Sequence, residues 1–267
     1  SASNTLGSVV FSTIGGVLIV TKRCVLVLQF VLSLCSKSKV TQDGDQNMKA
    51  LIVNSSPRQN SNSTTLALAA SAGLRDTGHE VVVRDLNDII GGFLRDCRTC
   101  RQVNGGCGIK DGYQSLFFDD FLPADGLIVA TPIYWYGMSS QLKAFFDRMF
   151  CYVAASHPES THVLSRIQNK RIGLVLSSEE TFPTVSHGIV HQVQEFSRYT
   201  NSIMVGFVHG NGNARGDVKR DPKNPVEQAR CFGQDFFDCH ATDFKIDTPR
   251  PGKMWLNAFC REDSMTL

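Results

Sequence analysis

The chain has 267 residues, room for one large domain or two small ones, and an apolar fraction of 42%, ordinary for a globular protein. A net charge of +2 supplies no broad field for nucleic acid or an anionic membrane. Nine cysteines, an odd number scattered along a chain too large to need staples, argue against a disulfide scaffold and for a reducing compartment such as the cytoplasm.

Residues 1–47 differ in character from the rest of the chain. Apolar runs at 17–20 and 25–34 are separated by Lys22-Arg23, and neither reaches the length of a membrane span. Lys22-Arg23 followed by 25–34 has the outline of a secretory signal. The charges lie well inside the chain, however, and Leu34 is bulky for a cleavage site. Residues 41–47 are polar, like a linker, and Met48 directly precedes the first strand. Met48 therefore reads as a natural start and 1–47 as an upstream extension. A targeting segment and a membrane-touching extension are the alternatives.

Residues 50–53 form a continuous apolar run, as in a strand covered on both faces. A polar loop without acidic residues comes next, then a helix over 64–75 with Leu66, Ala69, Ala70 and Leu74 spaced along it. A loop that feeds a helix N-terminus aims unpaired N–H groups at one point, and the helix dipole adds positive potential there. Ser56, Ser61, Ser63 and Thr64 add hydroxyls and Arg58 a charge, so the stretch suits a phosphate. The plain alternative is a strand-to-helix connection with hydroxyl caps. Thr77-Gly78-His79 ends the helix, and 80–86 is the second strand, completing a right-handed parallel unit.

Residues 87–112 are irregular and carry Cys97, Cys100 and Cys107. Metal ligation, a redox dithiol and free thiols lining a loop are the readings, and the third is preferred because no fourth ligand lies in the loop. A helix over 113–121 comes after it, with Leu116, Phe117 and Phe121 apolar. The third strand, 125–130, runs into Thr131-Pro132-Ile133-Tyr134-Trp135-Tyr136-Gly137, an aromatic loop suited to a flat ring. The alternative is a surface turn whose aromatics fold into the core. In the helix over 141–149, Leu142, Phe145, Phe146 and Met149 share a face, and Asp147-Arg148 reads as a structural ion pair. The fourth strand, 171–176, ends in a loop at 177–183; a helix spans 186–199. The fifth strand spans 202–208 and leads into a Gly- and Asn-rich stretch, 209–216. The last helix is expected over 225–239, with Pro225 in its first turn. Residues 241–267 read as a tail.

Three stretches carry a family resemblance. They are Ser55-Ser56-Pro57-Arg58 with Asn62, Ser63 and Leu66; Cys97, Cys100, Cys107, Ile109 and Asp111; and residues 131–138 with Gln141-Leu142-Lys143 and Asp147-Arg148. Over 48 to about 237 the chain resembles the NAD(P)H-dependent FMN reductase family, of flavodoxin-like fold, and its iron–sulfur-flavoprotein-like branch. The resemblance implies an α/β three-layer sandwich with a five-stranded parallel sheet of order 2-1-3-4-5 in residues 48–240. It also implies bound FMN with NAD(P)H as co-substrate. Ser56, Arg58, Asn62, Ser63 and Thr64 would hold the phosphate. Pro132, Ile133, Tyr134, Trp135, Tyr136 and Gly137 would flank the ring, with Ser178 and Glu179 on its other side. No catalytic side chain and no metal ligand is carried over, since the chemistry belongs to the cofactor.

The sequence departs from the family pattern at Ser55 and Ser61, where glycine is common, at Gly112, and at Leu94, which stands where relatives have a first cysteine. The wider cysteine spacing argues against an iron–sulfur cluster. The expected activity is an oxidoreductase passing electrons to a quinone, azo compound, free flavin or similar small acceptor, in a homodimer or homotetramer. Nucleic acid is not an expected partner, nor is a membrane for 48–267. An electron carrier of flavodoxin type and a flavin-free partner-binding module on the same fold are the alternatives.

Overall fold

The structure, a computed structural model, describes residues 47–238. The expectations for 1–46 and for the tail lie outside these residues. Among the described residues, no helix is long and apolar enough to cross a membrane.

Five strands form one parallel sheet of order β2-β1-β3-β4-β5, as the family resemblance implies. They are β1 (Lys49–Asn54), β2 (Glu80–Asp85), β3 (Gly126–Pro132), β4 (Arg171–Ser178) and β5 (Ile203–Asn211). The main helices are α1 (Asn62–Asp76), α2 (Ser140–Arg148), α3 (Ser160–Ile167), α4 (His187–Tyr199) and α5 (Pro225–Gln234). Residues alternate between the two faces of β1. Ala50 and Ile52 pack with Leu66, Ala70 and Leu74 of α1 and Ala229 of α5. Leu51 and Val53 pack with Leu142 and Phe145 of α2 and Ile189 and Val193 of α4. Burying each large aliphatic side chain contributes about 1.5–3 kcal/mol, which is why a strand apolar at every position takes the middle layer.

Backbone contact brings α1 and α5 together. A Cβ on Gly73 would stand 2.0 Å from the Arg230 carbonyl oxygen, and one on Gly233 would stand 2.1 Å from that of Ala70. Only glycine permits this approach at either position.

Several boundaries differ from those the sequence predicts. β3, β4 and β5 each run further, carrying Thr131-Pro132, Ser177-Ser178 and His209–Asn211 into the sheet. Parallel pairing uses backbone groups, so hydroxyl side chains do not end it. Pro132, which has no N–H to give, sits at the last position, and the Ile133 N–H donates to the Ser177 carbonyl at 2.8 Å. The helix predicted over 113–121 is one α turn, Tyr113–Ser115, followed by a π-helical stretch, Leu116–Phe121, closed by Leu122 N–H to the Phe117 carbonyl at 2.9 Å. α5 stops at Gln234, where the chain turns and inserts Phe236 into the core.

The ion pair expected between Asp147 and Arg148 does not form. Adjacent residues on a helix point in different directions. Asp147 pairs with Lys143 on the surface. Arg148, 1% exposed, reaches Asp111 with Nη1 at 2.5 Å and Nη2 at 2.8 Å, and lies 4.2 Å from the centre of the Tyr113 ring. Burial acts to raise the Asp111 pKa, but Arg148 and the Gly91 and Tyr113 N–H groups outweigh it and hold the carboxyl below its usual value. This pair ties the irregular 91–112 segment to α2.

Candidate functional site

Four loops meet beyond the carboxyl ends of β1, β3, β4 and β5. Strand order reverses between β1 and β3, the place where open α/β sheets leave a crevice for ligands. The crevice is a cleft of about 270 Å³, lined by residues of all four loops. That is near the lower end of small-molecule sites, roughly 300–1,000 Å³.

The first wall lies after β1. Ser55 anchors the loop, giving both its N–H (2.9 Å) and its hydroxyl (2.8 Å) to the Ala130 carbonyl. Ser56 Oγ accepts from the Arg58 N–H at 3.3 Å. Asn60 adopts φ 54°, and Ser61 then caps α1 by accepting from the Thr64 N–H at 3.1 Å. The first turn of α1 has no acidic residue, so its dipole is uncompensated there. Ser56, Arg58, Ser61 and Asn62 line the cleft. Ser63 and Thr64 do not; their hydroxyls face Ser61 Oγ at 3.2 and 2.7 Å. The Asn62 amide donates to the Gly212 and Ala214 carbonyls (2.9 and 3.1 Å) and accepts from the Val218 N–H (3.2 Å). It clamps the loop after β5 onto the start of α1.

The second wall lies after β3. Thr131 Oγ accepts from the Ser139 N–H at 3.0 Å and closes the base of the aromatic loop. Tyr134 and Gly137 exchange two backbone hydrogen bonds, each 2.9 Å, around Trp135 and Tyr136 at φ 48° and 60°. Such a two-residue turn needs positive φ at both central positions and favours Asn-Gly. Bulky residues there cost on the order of 1–3 kcal/mol each. Pro132, Ile133 and Tyr134 line the cleft, while Trp135, Tyr136 and Gly137 do not. Trp135 projects into solvent, 97% exposed, and the Tyr136 ring lies 6.2 Å from that of Phe182.

The third and fourth walls are Ser177, Ser178 and Glu179 after β4, and Gly212, Asn213, Ala214 and Arg215 after β5. Ser177 and Gly212–Arg215 were not among the sequence-predicted site residues. The signal for the last group was present: a Gly- and Asn-rich stretch following a parallel strand, on the same edge as the other three loops.

The two ends of the cleft differ in chemistry. The α1 end offers hydroxyls, a helix N-terminus and the exposed guanidiniums of Arg58 and Arg215. The other end offers backbone and an aromatic side chain. This donor set fits a phosphate joined to a flat ring, and so fits FMN. Cys97, Cys100 and Cys107 lie outside the cleft lining; Cys97 is exposed and the other two are buried. The Thr99 hydroxyl, foremost among its hydrogen-bonding neighbours, holds the Cys97 thiol below its usual pKa. Among the described residues no group of three or more His, Cys, Asp or Glu side chains is arranged to hold a metal ion.

Residues 48–218 match the family described as flavodoxin-like fold, and the chain belongs to that family. YwqN of Bacillus subtilis (strain 168), provisionally named an NAD(P)H-dependent FMN-containing oxidoreductase, is 26% identical over 181 residues, covering 65% of this chain and 91% of the relative. An iron–sulfur flavoprotein of Methanocaldococcus jannaschii is 28% identical over 200 residues, covering 70% of this chain and 94% of the relative. Among solved structures, an NAD(P)H:quinone oxidoreductase from Methanothermobacter marburgensis superposes with a TM-score of 0.55 at 18% identity, covering 73% of this chain and all of that one (100%), a likeness of fold.

Proposed function

We propose that this member of the flavodoxin-like-fold family is an FMN-dependent NAD(P)H oxidoreductase whose acceptor is a small molecule such as a quinone, an azo compound or free flavin. The observation that carries the reading is a cleft with two chemically distinct ends. The names of the two curated relatives support it: one is named for NAD(P)H and FMN, the other as a flavoprotein.

When bound, FMN supplies the chemistry of accepting and donating hydride. The chain's own residues bind and orient it. Arg58 and Arg215 balance the phosphate charge, and the α1 N-terminus with Ser56 and Ser61 supplies donors to its oxygens. Ser63 and Thr64 support Ser61 from behind. Pro132, Ile133 and Tyr134 would pack along the ring; Pro132 has no N–H, and those of Ile133 and Tyr134 are already bonded to the Ser177 and Gly137 carbonyls, so the contact there would be through side chains. Ser177, Ser178 and Glu179 close the opposite side. Trp135, Tyr136 and Phe182 form an apolar rim for the nicotinamide, the acceptor or a second copy of the chain, in keeping with a homodimer or homotetramer.

The test is the absorption spectrum of the purified protein, followed by acid release and chromatography of the chromophore. Oxidised-flavin bands, release of FMN and bleaching by NADH or NADPH are expected. A colourless protein that takes up no added FMN overturns the reading. Iron in the same preparation would return attention to Cys97, Cys100 and Cys107.

A further inference from the structure

The Ser178 hydroxyl, on the wall of the cleft, is held by three neighbours. Its oxygen lies 2.6 Å from the Glu180 carbonyl oxygen, 2.7 Å from His209 Nε2 and 3.1 Å from Asn211 Nδ2. A carbonyl only accepts and an amide nitrogen only donates, so Ser178 gives its one proton to Glu180 and receives one bond from Asn211. With that proton committed, His209 must donate, from an Nε2–H, to the second lone pair of Oγ. His209 is half-buried at the end of β5, directly behind the cleft wall. Burial foremost, then Lys223, hold its pKa below the usual histidine value, and Asp221 opposes them. His187, His191, Glu195 and Arg198 of α4, which packs on β5, are not among the causes of this shift.

We propose that Ser178 and His209 form a proton relay to an acceptor bound in the cleft, with His209 a positioning residue that acts through the Ser178 hydroxyl. The relay rests on the oxidoreductase reading for its source of electrons. Reduction of a quinone to a hydroquinone takes two electrons and two protons. A hydride brings both electrons and one proton. The Ser178 hydroxyl turns from the Glu180 carbonyl to the acceptor oxygen and gives it the second proton. As that O–H bond breaks, the Nε2–H bond of the His209 imidazolium breaks and its proton moves to Oγ, leaving a neutral ring. Solvent then returns a proton to the imidazole. Asn211 Nδ2 holds Oγ throughout, and it also donates to the Glu180 carbonyl at 2.6 Å, so that carbonyl keeps a donor while the hydroxyl turns away.

The first test needs no flavin. Long-range 15N–1H spectra of the histidines in the full chain, assigned with His209→Gln, report the tautomer. Neutral His209 is expected as the Nε2–H form, with a titration midpoint that moves by about half a pH unit or more in Ser178→Ala. An Nδ1–H tautomer, or a midpoint indifferent to Ser178→Ala, overturns the relay. The second test compares turnover of a benzoquinone with that of ferricyanide, which takes electrons but no proton, in FMN-loaded protein. In His209→Gln the quinone-to-ferricyanide ratio is expected to fall by about ten- to a hundredfold. In the unmodified protein the ratio should rise as pH falls through the His209 midpoint, a slope the variant loses. An equal ratio in two proteins that both hold FMN overturns the relay and leaves the oxidoreductase reading standing. A protein that takes up no FMN sinks that reading, and the relay with it.

Discussion

At the scale of single residues, two buried cations decide local stability. Arg148 is held by Asp111 on one side and the Tyr113 ring on the other, and its Nη1 also donates to the Gly92 carbonyl at 3.3 Å. Asp111→Ala leaves that guanidinium buried without its counter-charge. A loss of about 3–5 kcal/mol is expected, measured by urea unfolding. Lys170, buried at the start of the strand ladder opposite the cleft, donates to the Leu122 carbonyl at 2.9 Å and to that of Ala124. Burial pulls its pKa down to about 7; Arg166 adds to this and Asp125 opposes it. The folded value lies below the unfolded one, about 10.4, so the charged form is disfavoured by folding. The contribution of Lys170 to stability is full above about pH 10.4 and is lost as pH falls toward 7. Relative to Lys170→Met, the unmodified protein should therefore gain stability between pH 7 and 10. The difference between the two proteins is the quantity to follow. Burial foremost raises the Cys151 thiol to about 12 and pushes the Tyr152 phenol well above its usual value, so neither titrates across that window.

At the scale of elements, the turn at Trp135-Tyr136 contradicts local preference. Both residues sit in the left-handed region and both rings face outward, so neither core packing nor backbone propensity explains them. Strain of this kind is retained where surrounding structure imposes it and gathers at ligand sites. Replacing the pair with Asn-Gly (Trp135→Asn with Tyr136→Gly) is expected to raise stability by about 1 kcal/mol or more, seen as a higher melting temperature. The same change should weaken turnover, because it removes the rim of the cleft. The strand extensions belong to this scale as well. Hydroxyl-rich ends such as Ser177-Ser178 read as loop in one dimension, yet a neighbour in register supplies the hydrogen bonds that make them strand.

At the scale of the whole molecule, the cleft is made of loops that lie far apart in the chain and share only an edge of the sheet. A ligand that binds there and not to the unfolded chain stabilises the fold by mass action. FMN at about a hundred times its dissociation constant should add about 2.7 kcal/mol. For a domain of this size that is a rise of roughly 5–10 °C in melting temperature. Arg58→Ala should reduce the rise, measured by thermal unfolding with and without FMN. No rise at saturating FMN would remove the flavin from the account of this cleft.

The strands and the three loops singled out by chemistry were legible in the sequence because they rest on local causes, while the order of the sheet came from the family resemblance. An apolar run of strand length, a hydroxyl-rich helix entry and an aromatic segment after a strand each carry their own signal. What required the tertiary structure was everything set by a partner remote in sequence. Arg148 reads as the neighbour of Asp147, but helix geometry turns it toward Asp111, thirty-seven positions away. Asn62 reads as a phosphate ligand, yet its amide is committed to a loop some 150 positions on. The family resemblance implies Trp135 and Tyr136 as ring-flanking residues, and the backbone of their turn leaves both outside the cleft lining. Periodicity determines which residues are buried and so the class of fold. The direction and partner of each polar side chain are settled only when the folded chain brings its donors and acceptors together.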